Sequence, residues 1–113
     1  FVHQSACFKD SEDAACLNRV YEMMKTEKWY VTIGELEEAL KRAGFSLSEV
    51  RAAPPLRLES CDLAERYSLG AEEVASIREK VVRDFGERQG VFTSAGERFT
   101  AWLHYSIFTC RAE

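Results

Sequence analysis

Ser94-Ala95-Gly96-Glu97-Arg98-Phe99-Thr100-Ala101-Trp102-Leu103-His104-Tyr105-Ser106-Ile107-Phe108-Thr109-Cys110 is the stretch on which the fold turns. Ser94 with Glu97 three residues later has the spacing of a capping box, which marks a helix start. Phe99, Trp102, Leu103, Tyr105, Ile107 and Phe108 then leave almost no polar side. A segment apolar nearly all round, behind a cap, predicts a final helix in a central, covered position.

The same signature recurs upstream. Thr32-Ile33-Gly34-Glu35 is a capping box with Val31 and Leu36 as its hydrophobic staple. It opens a helix with Leu36, Ala39, Leu40 and Ala43 buried, and Gly44 stops it. Ser46-Leu47-Ser48-Glu49 reads as another box, so the chain continues helical until Pro54-Pro55 breaks it. Upstream, Ser11 with Glu12 and Asp13 caps a first helix that carries Cys16, Leu17, Val20, Tyr21 and Met24 and ends near Lys28. Between the breaks, Leu56, Ser60, Leu63, Ala64 and Tyr67, then Val74, Ile77, Val81 and Phe85, recur at helical spacing. Residues 1–10 are a lead-in. No stretch reads as a convincing strand. The expectation is all-α: a disulfide-linked four-helix bundle with broken or kinked helices, one domain over 1–113.

At 113 residues and 46% hydrophobic, the chain can bury a core of its own. A net charge of -4 with mixed signs argues against nucleic acid. No apolar run reaches membrane-spanning length. Cys7, Cys16, Cys61 and Cys110 have no metal-ligand spacing, and their even number with a start at Phe1 fits a mature secreted protein with two disulfides. Three pairings are open. Cys7–Cys110 with Cys16–Cys61 is favoured because it joins the chain ends and two helices.

Chemistry is sparse. Residues 14–45 have the rhythm of an EF-hand, but putting Glu35 last places Met24, Thr26 and Lys28 at liganding positions and Trp29 at the glycine, so no calcium site is expected. His3 lies in the lead-in, and His104 reads as a packing or hydrogen-bonding residue. No nucleophile elbow or H-E-x-x-H motif occurs. The expectation is a protein with neither catalytic residues nor cofactor. What remains is contact. Trp29-Tyr30 lies between two capped ends, and Arg88 with Phe92 lies in a glycine-bounded loop. Aromatic and arginine side chains on loops are the usual anchors of an interface. In an up-down bundle both loops would sit at one end. Covering the end of the core is the alternative use of Trp29-Tyr30.

The chain resembles the small salivary proteins of anopheline mosquitoes, the family that includes albicin and anophensin. The resemblance spans the whole chain. It rests on the opening Phe1-Val2-His3-Gln4-Ser5-Ala6-Cys7, the run Cys16-Leu17-Asn18-Arg19-Val20-Tyr21, four cysteines in a helical chain, and the aromatic end Trp102 to Cys110. It implies a secreted, extracellular inhibitor of host defence. Albicin-like members block the alternative complement pathway at the C3 convertase; anophensin-like members act on the plasma contact (kallikrein-kinin) system. Complement is preferred, since a rigid domain without a protease-inserting loop can hold a multi-protein enzyme inactive. A small-ligand carrier resembling odorant-binding proteins is the rival, but such carriers usually have six cysteines, two of them three residues apart. The resemblance assigns no binding residue.

Overall fold

A computed structural model describes residues 1–112 and makes the 94–110 stretch strand rather than helix. Strand β1 (Val2–Phe8) leads into helix α1 (Ser11–Met23), a short strand β2 (Val31–Thr32) and helix α2 (Ile33–Arg42). The long strand β3 (Phe45–Glu59) follows, then helices α3 (Ser60–Tyr67) and α4 (Ala71–Phe85). The hairpin β4 (Phe92–Ala95) and β5 (Arg98–Ala112) closes the chain. The fold is therefore mixed α/β, which corrects the all-α bundle.

The physical reason lies in the last stretch. Gly96 has a φ of +62°, and Ala95 pairs with Arg98, so Gly96-Glu97 is a two-residue hairpin turn. A left-handed glycine at the first central position is what such a turn uses. Ser94 does not cap a helix; its amide donates to the Glu87 carboxylate at 3.1 and 3.2 Å. Beyond the turn, Phe99, Ala101 and Leu103 are buried in strict alternation. Thr, Trp, Tyr, Phe and Ile on a half-covered, pleated surface are strand formers. Ser46-Leu47-Ser48-Glu49 fails for a related reason. Gly44, at φ +91°, ends α2, and Phe45 turns straight into β3. Pro54-Pro55 sits in the irregularity between Ala53 and Leu56 on this edge strand, where a missing N–H costs no ladder bond.

Strand β5 is the spine. It pairs antiparallel with β3 along one side, and with β1 and β4 in succession along the other; β2 joins β1 in parallel. Neighbouring strand residues face opposite ways. Phe8, Phe99, Ala101 and Leu103 accordingly join α1, α3 and α4 in the main core, while Cys7, Phe108 and Cys110 meet α2, Phe45 and Leu47 on the other face. Each end of the sheet is thus covered on one face only, and the molecule is drawn out to 51 × 24 × 21 Å. No helix among the described residues is long and apolar enough to cross a membrane.

The disulfides are corrected too: Cys7, Cys16, Cys61 and Cys110 are all free thiols. Register explains Cys7 and Cys110. Cys110 exchanges main-chain bonds with Phe1, both at 2.8 Å, so it lies six residues of strand from Cys7. That is roughly 20 Å along β1, at about 3.3 Å per residue, far beyond a disulfide's Cα separation. Cys16 is fully buried in α1, and Cys61 is exposed on the first turn of α3. Burial pushes the Cys16 thiol up to about 12, with Arg88 pulling it down and Asp13 pushing it up. Burial likewise raises Cys7, against hydrogen bonding with Ser106.

Candidate interaction surface around Trp29

Four residues stand out in the sequence as contact candidates: Trp29, Tyr30, Arg88 and Phe92. The structure gives them different roles. Trp29 is 69% exposed, the most exposed large hydrophobic side chain of the described chain. Tyr30 and Phe92 are interior, at 8% and 0%. Arg88 is largely covered and engaged.

The loop before Trp29 is fixed by the way α1 ends. Lys25 takes a left-handed φ of +62°, its amide bonds to Glu22 O, and the Thr26 amide reaches back to Tyr21 O. This is a Schellman closure with lysine where glycine is usual. It stops α1 at Met23 rather than near Lys28. The Thr26 hydroxyl donates to Tyr21 O and accepts from the Lys28 amide. Lys28 Nζ then reaches the Tyr67 hydroxyl at 3.2 Å and lies over the Tyr21 and Tyr67 rings. On the other side, the Tyr30 amide donates to Asn18 Oδ1 at 2.6 Å, and Asn18 Nδ2 donates to Tyr30 O at 2.8 Å. The Tyr30 ring packs edge-on to Tyr21 and Phe8. Both neighbours of Trp29 are held down, and Trp29 itself is left outside.

Beside it is a shallow hollow of about 250 Å³ along the outer side of α1, from Ser11 through Asn18 to Glu22, with Phe85 at its wall. Arg19, Glu22 and Glu35 supply charge around it, and Arg19 pairs with Asp84 at 3.3 Å. An aromatic anchor beside a partly apolar hollow with a charged rim has the anatomy of a binding patch.

Arg88 reaches the same helix from the other loop. Its Nε donates to Asp13 Oδ1 at 2.7 Å, NH1 lies 3.3 Å from Glu12 Oε2, and NH2 lies 3.8 Å from Asp10 Oδ2. The Asp13 hydrogen bond raises the Arg88 guanidinium further above its already high range. Main-chain bonds also close Arg88 onto Phe92, at 2.9 Å in both directions. The two loops thus both reach α1, one at its first turn and the other at Asn18, rather than sharing the end of a bundle. Arg88 ties the α4–β4 loop to the first turn of α1 and is not a free donor fork.

Two further groups complete the picture. His104 makes a 2.7 Å bond to Gly90 O and stacks on Phe8, with ring centroids 5.0 Å apart. On the open face of β5, Glu59 accepts from Thr100 and from Arg57, which together hold its carboxyl below the usual range, and Arg57 lies over the Trp102 ring. Among the described residues, no group of three or more His, Cys, Asp or Glu is placed to hold a metal ion. Sequence reasoning missed Asn18, the residue that positions this surface. A lone asparagine on a buried helical stripe was the available signal.

Comparison with protein-family models, curated proteins and solved structures finds no match.

Proposed function

We propose that this protein acts by binding a partner protein without catalysis, through a surface centred on Trp29 and the hollow along α1. One observation carries the reading: Trp29 is left exposed while Lys28 and Tyr30 on either side are anchored. A solvent-facing tryptophan on fixed backbone can bury its ring without first ordering a loop, and that lowers the cost of association.

The partner offered by the salivary resemblance is the alternative-pathway C3 convertase, which would place the protein outside the cell, acting on host plasma. The residues that carry that resemblance are Phe1–Cys7, largely β1, Cys16–Tyr21, within α1, the four cysteines, and the aromatic end Trp102 to Cys110, within β5. The experiment is C3b deposition from human serum on an activating surface, with parallel alternative-pathway and classical-pathway arms and a contact-activation arm. Selective loss of alternative-pathway deposition supports the complement target. Inhibition confined to contact activation moves the target to the kallikrein-kinin system. Inhibition in no arm removes both targets.

A further inference from the structure

Among the described residues the outer side of β3 has no strand against it, and we propose that it pairs with the same strand of a second copy, around a two-fold axis at Val50. This edge is separate from the Trp29 surface, which is formed by α1 and the loop that follows it.

Strand polarity sets which groups are free. Cys110 turns its N–H and C=O towards β1, where they meet Phe1. Successive residues turn these groups to opposite sides, so Ile107 and Thr109 turn theirs to β3. Their partners there are Arg51 and Glu49. Val50 and Ala52 therefore turn their main-chain groups outward, away from the sheet. An antiparallel two-fold pairing centred on Val50 sets Val50 against its own copy as a hydrogen-bonded pair.

Charge selects the same register. Centred on Val50, each Glu49 lies opposite an Arg51 in a non-hydrogen-bonded pair, where cross-strand side chains come closest. A centre one residue either way puts Glu49 against Glu49, or Arg51 against Arg51, which is repulsive. Both side chains are exposed, and neither takes part in an ion pair among the described residues. Val50, 37% exposed, supplies an apolar contact at the axis. The ladder is short by construction. The bulge between Leu47 and Glu49 ends it on one side, and Pro54, which has no N–H, ends it on the other. A groove of about 580 Å³ between α2 and this edge leaves room for the second copy's chain beyond the ladder. The geometry describes a weak, reversible dimer with one continuous sheet.

The test is sedimentation equilibrium of the full chain from low micromolar to near-millimolar concentration. The expected result is a monomer–dimer equilibrium. Glu49→Arg and Arg51→Glu each create like charges across the axis and should weaken association at least tenfold. The double variant Glu49→Arg/Arg51→Glu should restore it. Melting curves establish that each variant is folded. In the parent, hydrogen exchange at the Val50 and Ala52 amides should slow as concentration rises, a readout independent of any variant. A parent that stays monomeric, association indifferent to the single swaps, or a double swap that fails to restore it would each overturn the proposal.

Discussion

Asn18 holds the main chain of Tyr30 from both ends of its amide, accepting from the Tyr30 N–H at 2.6 Å and donating to the Tyr30 carbonyl at 2.8 Å. The pair is buried, so neither backbone group has water as a substitute. Leaving a buried donor or acceptor unpaired costs about 1–3 kcal/mol per group. Asn18→Ala is expected to lower the unfolding free energy by about 2–3 kcal/mol, read by urea titration. Asn18→Asp keeps the acceptor but buries a carboxylate and sets one of its oxygens against the Tyr30 carbonyl, so at neutral pH it should cost at least as much as Asn18→Ala. Equal stability of parent and Asn18→Ala would mean that the loop holds Tyr30 by other means.

Arg88 is expected to matter for stability rather than contact. Its side chain is 22% exposed and faces three carboxylates, with the short bond to Asp13. A partly covered, networked pair contributes more than an isolated surface pair, here about 1–2 kcal/mol. Arg88→Ala should lower the melting temperature by several degrees, and salt should narrow the difference from the parent. An unchanged melting temperature with reduced partner binding would return Arg88 to the contact surface.

The thiols give a chemical test of the fold. In the native protein, a thiol-reactive dye should label one cysteine rapidly, the exposed Cys61, and four after denaturation. A disulfide-linked chain would label none in either state. The raised pKa values of Cys16, Cys7, Tyr21 and Tyr30 all share desolvation by burial as their largest cause. Each group keeps its proton longer folded than unfolded. Stability is therefore fully present below the unfolded thiol pKa of 9.0 and, for Cys16, falls as pH rises towards about 12. Each such group steepens the fall by about 1.4 kcal/mol per pH unit within its window. Urea midpoints measured from pH 7 to 10.5 should drop above pH 9; a flat profile would contradict the burial of these groups.

How much was legible in the sequence follows from which signals were local. The Thr32–Glu35 capping box forms with both reciprocal bonds, and α2 opens where it predicts. The stripe Val74, Ile77, Val81, Phe85 lies on α4, and Gly86 closes it. The same Ser-x-x-Glu spacing misled at residues 46–49 and 94–97, because a cap is an option that strand pairing can outbid. Alternation at Phe99, Ala101 and Leu103 was present, but Trp102 between them and Tyr105, Ile107 and Phe108 beyond them hid it. β1 could not be read locally at all, since its ladder partner lies a hundred residues away on β5. At the candidate surface, Trp29 was legible as an aromatic in a loop. Tyr30 and Phe92 were not separable from it until the chain's path around α1 buried them.

Binding through Trp29 is tested by a dose–response of the parent and Trp29→Ala in the alternative-pathway C3b deposition assay, with melting curves taken in parallel. The expected result is inhibition by the parent and at least a tenfold loss for Trp29→Ala, about 1.4 kcal/mol of binding, at an unchanged melting temperature. A folded Trp29→Ala variant as potent as the parent, or a parent without effect, would contradict it.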